Sequence, residues 1–148
     1  MNDDEAMRLA LQEAERAIEH EDVPVGALVI VDGLVIAARH NERQLTGDPT
    51  AHAEILALRD AASHLGTWHL DNSTLVTTLE PCPMCAGAAL NARVGHVIFG
   101  AHDPKAGAVE TLYNLLDDPR LNHQAKITSG VLAAECGDIL SQFFAQRR

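Results

Sequence analysis

The chain lacks any apolar run approaching the roughly 20 residues needed to cross a bilayer. Its opening segment, "MNDDEAMRLALQEAERAIEH", has neither the basic start nor the continuous apolar stretch of a secretory signal. No membrane association and a cytoplasmic location are therefore the expectation. Cysteine is scarce: three residues, an odd number, do not build a disulfide framework, and Cys82 and Cys85 stand too close for an ordinary framework bridge. Positive charge is scarce too, with 11 Lys and Arg against 21 Asp and Glu and a net charge of −10. That argues against casual binding of nucleic acid, because phosphate contacts need clustered cations. The deficit is uneven, since residues 1–22 hold eight acids against two arginines and leave the rest of the chain at only −4. Low-complexity tracts, linkers and internal repeats are missing as well.

What is present is globular. The 148 residues are 47% hydrophobic and 22% charged, enough for one domain, spanning 1–148, that buries well over half of its unfolded surface. Met7, Leu11, Ala14 and Ile18 recur at three and four and make residues 3–20 an amphipathic helix. "VGALVIV", "DG" and "LVIAA" give a hairpin signal, with both strands apolar enough to be buried on both faces. "NERQLTGDPT" reads as a loop, and Thr50 is placed to cap the helix of "AHAEILALRDAASHLG". "STLVTTLE" is a strand, and "PCPMCAGAALNARV" a helix with Pro83 at its start. Then come a strand "HVIFGA", a short helix "GAVETLYNLL", a weak strand "AKITSG" and a final helix "LAAECGDILSQFFAQ". Helices between successive strands after the hairpin predict right-handed parallel crossovers. The expected fold is a three-layer α/β/α domain with one five-stranded mixed sheet.

Two helix starts carry residues that burial does not need. His52 and Glu54 fall in the first turn of one helix, Cys82 and Cys85 at the start of another. A lone histidine near a helix start is usually a surface or capping group, and a lone glutamate there often answers the helix dipole. A Cys-x-x-Cys pair between strand and helix also serves thioredoxin-like redox chemistry. Together, one imidazole and two thiolates make three ligands for one Zn²⁺, one short of a closed structural site, and an open position implies a bound water. A helix N-terminus favours the thiolate form, and a bound metal brings the pKa of its water toward about 7. Glu54 is then placed to accept that proton and return it. Cys136, mid-helix on an apolar side, is expected to pack.

The pattern "HAE…PCPMC" resembles the His-x-Glu…Pro-Cys-x-x-Cys signature of the zinc-dependent nucleoside and nucleobase deaminases. "DVPVGALVI", "DPTAHAEILALR", "TLEPCPMCAGAAL", "VIFGAHDPKAGA", "LNH" and "SQFFAQRR" extend the likeness over nearly the whole chain, toward the bacterial tRNA-specific adenosine deaminases. The resemblance implies hydrolytic conversion of adenosine to inosine at the wobble position of a tRNA anticodon, with zinc held by His52, Cys82 and Cys85 and Glu54 as the proton shuttle during attack on C6. It further implies base or ribose contacts by Asn41 and Asp103, a pocket lined by Phe144, Val25 and Leu79, a tRNA anticodon stem-loop as partner, a homodimer and no organic cofactor. Plainer roles compete: loop residue for Asn41, turn former before Pro104 for Asp103, core packing for Val25, Leu79 and Phe144. Lys105, Arg147 and Arg148 are candidate phosphate contacts. His102 departs from the arginine common in the family, and the chain ends without the longer basic tail of some members. Alternatives are a deaminase of a free nucleobase or nucleoside such as guanine or cytosine, a Cys-x-x-Cys redox protein, or a noncatalytic zinc module.

Overall fold

The computed structural model describes residues 1–147. Its helices are α1 (Asp3–Ile18), α2 (Arg43–Thr46), α3 (Ala53–Leu65), α4 (Pro83–Asn91) and α5 (Ala133–Ala145). Its strands are β1 (Gly26–Val31), β2 (Leu34–His40), β3 (Ser73–Leu79), β4 (His96–Ala101) and β5 (Lys126–Thr128), in the sheet order β2-β1-β3-β4-β5. β1 runs antiparallel to both β2 and β3, whereas β3, β4 and β5 are parallel. The fold is thus the expected three-layer domain on a mixed five-stranded sheet.

The pleat sorts the core into its two layers. Leu28, Val76 and Ile98 point to one face and meet Met7 and Ala10 of α1 and Cys136 of α5. The alternate residues Ala27, Val29, Leu75, Val97 and Phe99 point to the other, where Ala57, Leu58 and Ala61 of α3 and Ala86 and Ala89 of α4 cover them. The many alanines on these helices let backbone approach sheet closely. At Gly26 the approach is extreme: a Cβ there would lie 1.9 Å from the Ala10 carbonyl oxygen and 2.7 Å from the Ala14 amide nitrogen. Both obstacles are helix backbone, so α1 would have to lift off the sheet. We expect Gly26→Ala to cost about 3–5 kcal/mol, a value at the upper end for overpacking, and thermal denaturation of the purified variant measures it.

Four expectations are corrected. β2 is an edge strand, and Leu34 (68% exposed) and Val35 lie open at its start, since only its second half reaches under the helices. "NERQLT" contains one helical turn, α2, closed by Gly47 in the left-handed conformation. Thr50 does not cap α3; its hydroxyl donates to Asp48 Oδ1, and His52 occupies the cap position. "GAVETLYNLL" forms turns rather than a helix. Its Leu112 N–H donates to the Gly107 carbonyl five residues back, and the N–H groups of Val109, Glu110 and Thr111 go to the Glu80 side chain, so no helical ladder propagates. The crossover from β4 to β5 is nonetheless parallel.

Candidate active site and metal centre

The site lies where the ends of β2 and β3 and the starts of α3 and α4 converge. His52 is the cap residue of α3 and Cys82 that of α4, both with extended backbone, and neither side chain makes a capping hydrogen bond. Cap positions usually carry a short polar side chain that turns back to the first amides. These two turn outward instead and face each other. Pro83 fills the first position of α4 at no hydrogen-bond loss, and Cys85 follows in the same turn. His52 Nδ1 lies 3.6 Å from Cys82 Sγ and 3.5 Å from Cys85 Sγ, and the three donor atoms all fall within 4.8 Å of one another. Among the described residues this is the one group of three or more His, Cys, Asp or Glu side chains close enough to hold a metal ion.

The electrostatics suit cation binding. The neighbouring Cys85 thiol lowers Cys82 to about 4, while Cys82 beside it and burial push Cys85 up. Hydrogen bonding to Cys82 raises His52. Two sulfurs and an imidazole nitrogen form a donor set that zinc favours, with one coordination position left over. The three cysteines are free. Cys136 is fully buried against Gly100, and burial pushes its thiol up to about 12, which fits packing rather than reactivity.

Glu54 stands two residues beyond His52, in the first turn of α3, and is 4% exposed. Burial raises its carboxyl above the ordinary range, while the neighbouring imidazole draws it partway back. Such a group exchanges protons more readily near neutral pH than an exposed carboxylate does. It forms the floor of a cavity of about 880 Å³ together with His52 and Cys82, within the range of small-molecule sites.

All the sequence-predicted substrate residues line this cavity: Val25, Asn41, Leu79, Asp103 and Phe144. Their details differ from the simple expectation. Asn41 is buried and makes structural bonds, its amide donating to the Val23 carbonyl and its Oδ1 accepting the first N–H of α3 at Ala53. It thus supplies the capping bond that His52 leaves unmade. Asp103 Oδ1 accepts the N–H groups of Lys105 and Ala106, the turn-forming role weighed against substrate contact. Val25 precedes β1 rather than lying in it. Of the phenylalanines, Phe143 is core and Phe144, 47% exposed, faces the cavity. Lys105 lines the mouth, but Arg147 stacks on Phe143 and pairs with Glu21 at 2.7 Å, which takes it from the phosphate role. Arg148 lies outside the described residues. His102 pairs with Glu110 at 2.9 Å.

Two cavity residues carry no sequence signal that singled them out. Arg43 adds a cation to the mouth from α2, which Asp22 anchors by accepting the N–H groups of Gln44 and Leu45. Glu80, just before the Pro-Cys motif, is fully buried and held down to about 2: its hydrogen bonds from the Thr111 hydroxyl and from loop amides outweigh the cost of burial. Its position beside the cysteine motif was the available clue.

Comparison with known proteins agrees with this geometry. The MafB19-like deaminase family matches residues 1–148. The tRNA-specific adenosine deaminase of Bacillus subtilis is 51% identical over 142 residues, covering 96% of this chain and 88% of the relative. A solved structure from a study of A-to-I editing by tRNA:A34 deaminases superposes with a TM-score of 0.88 at 43% identity, covering 92% of this chain and 99% of the other. The guanine deaminase of Nitrosomonas europaea superposes with a TM-score of 0.85 at only 27% identity, covering 96% and 84%.

Proposed function

The chain belongs to the MafB19-like deaminases, and on that premise we infer that it is a tRNA adenosine deaminase that converts the wobble adenosine of an anticodon to inosine. The observation that carries the chemistry is the buried Glu54 carboxyl beside the His52, Cys82 and Cys85 donors on one cavity floor. The full-length identity to tRNA-specific enzymes favours this substrate over guanine, since two solved guanine deaminases are only 27% and 32% identical.

His52, Cys82 and Cys85 would hold one Zn²⁺, and the chemistry it would supply when bound is a water acidic enough to attack adenine C6. Glu54 would take one proton from the water and deliver it to ring nitrogen N1, then take the second proton from the hydroxyl newly bonded to C6 and pass it to the departing 6-amino group, so that the C6–N bond breaks and a C6 carbonyl remains. One water is consumed and one ammonia leaves. Val25 and Leu79 flank the floor as apolar walls for a base turned out of its stack, and Asn41, rigid through its two backbone bonds, offers its remaining amide valences to the base edge. Phe144 and the Asp103–Ala106 turn stand at the mouth, where the ribose and the neighbouring nucleotides would lie. Arg43 and Lys105 give this mouth local positive charge despite the −10 of the whole chain. No described helix is long and apolar enough to cross a membrane, and we place the enzyme with its tRNA in the cytoplasm. We further propose a homodimer, supported by the adjacent Leu112 and Tyr113, each more than half exposed on the segment that follows the mouth loop.

The test presents an anticodon stem-loop with wobble adenosine alongside free adenosine, cytidine and guanine, with inosine and ammonia as readouts. Conversion of the stem-loop, and none of the small molecules at comparable rate, is the expected result. Deamination of guanine alone would move the protein to the purine-base enzymes.

A further inference from the structure

Glu80 has no place in the proton transfers, yet its side chain gathers more hydrogen bonds than any neighbour of the cavity. Oε1 accepts the Asp103 N–H at 3.0 Å and the Thr111 hydroxyl; Oε2 accepts the N–H groups of Val109, Glu110 and Thr111 at 3.1, 2.8 and 3.0 Å. Both ends of the 103–111 segment are therefore tied to one buried carboxylate. Gly107, midway, lets the segment close around it: a Cβ there would lie 2.3 Å from Glu80 Oε1. The Ala108 N–H completes the clasp on the Pro81 carbonyl at 2.9 Å. Glu80 itself follows the last residue of β3 and stands two residues before Cys82. The mouth loop and the cysteine motif are thus indexed to the same strand end.

The cavity-facing part of this segment, Asp103–Ala106, forms one wall of the mouth. It lies outside the floor where the reacting base would sit, so its partner is the portion of substrate that flanks the base. We propose that Glu80 is a positioning residue for substrate selection: by pinning the 103–111 segment it fixes the wall on which the flanking nucleotides of the anticodon loop are seated. The proposal rests on the tRNA reading above. Only a carboxylate serves here, because every partner is a donor. An amide in its place would turn an NH₂ group toward N–H groups.

Holo-protein carrying Glu80→Gln is compared with wild type on the stem-loop. KM should rise about tenfold while kcat stays within about threefold, the signature of lost binding that is uniform along the reaction. Zinc content should be unchanged, and amide hydrogen exchange should quicken at 103–111 while α3 and β3 keep wild-type protection. Thr111→Val removes a single hydroxyl partner, and Gly107→Ala sets a Cβ against both the carboxylate and the Asp103 carbonyl oxygen, displacing the clasp. Each should raise KM by about threefold, as loss or distortion of one hydrogen bond would, and these two carry the test if the Gln variant fails to fold. Faster loop exchange with KM unchanged would overturn the proposal. So would loss of zinc, or a fall in kcat with KM retained, since either assigns Glu80 to the metal centre instead. Failure of the wild type to form inosine on the stem-loop is a separate result that strikes the tRNA reading and needs no variant to detect.

Discussion

Glu54→Gln is expected to lower kcat for wobble deamination by about 10³-fold or more, the contribution of a well-placed proton shuttle, which corresponds to about 4 kcal/mol of transition-state stabilisation. The substitution keeps the volume and most of the polarity of the side chain but cannot carry the proton from water to ring nitrogen and amine. Fold and metal should survive. Glu54 is not among the three donors, and the amide keeps an oxygen that can still accept a hydrogen bond. Inosine formation under single-turnover conditions, zinc by elemental analysis and a thermal melt together read the result. A variant that retained activity would break the assignment of the shuttle, and one that lost zinc would make Glu54 a ligand.

Removing the metal should have an equally large effect. Wild-type protein is expected to contain about one Zn²⁺ per chain, and Cys85→Ala to hold almost none, with deamination below detection in both the variant and the chelated wild type. Chelation gives a second readout that does not depend on activity. Cys82 is half-buried, whereas Cys85 and Cys136 are fully buried. Alkylation of the chelated protein should therefore begin at Cys82 and reach Cys136 only on unfolding, and re-adding zinc should protect Cys82. Metal-free wild type with a reducible Cys82–Cys85 disulfide would instead revive the redox alternative.

His52, Cys82, Cys85 and Glu54 were legible as candidates because they fall in two short motifs, each at a helix start that follows a loop or a strand end. The strand-helix alternation was legible for a similar reason: apolar periodicity reports which face is buried. It misled at "GAVETLYNLL", where the spacing of apolar residues fits a helix but the backbone donors are claimed by a carboxylate 29 to 31 residues earlier. The same limit hid the role of Glu80. Arg147 shows the converse, since a basic residue at the chain end looked free for phosphate until Glu21, 126 positions away, was found to hold it.

By itself, then, the sequence determined the fold class and picked out His52, Cys82, Cys85 and Glu54 as residues that burial does not need, because burial pattern and ligand type are properties of short segments. Tertiary structure alone decided which cations remain at the mouth, that Asn41 caps α3 in place of His52, that Phe144 rather than Phe143 meets the cavity, and that a buried carboxylate clasps the mouth loop. Each of these depends on which backbone donors and acceptors meet across the fold. Hydrogen-bond partners distant in sequence are chosen by packing, and no local pattern encodes them.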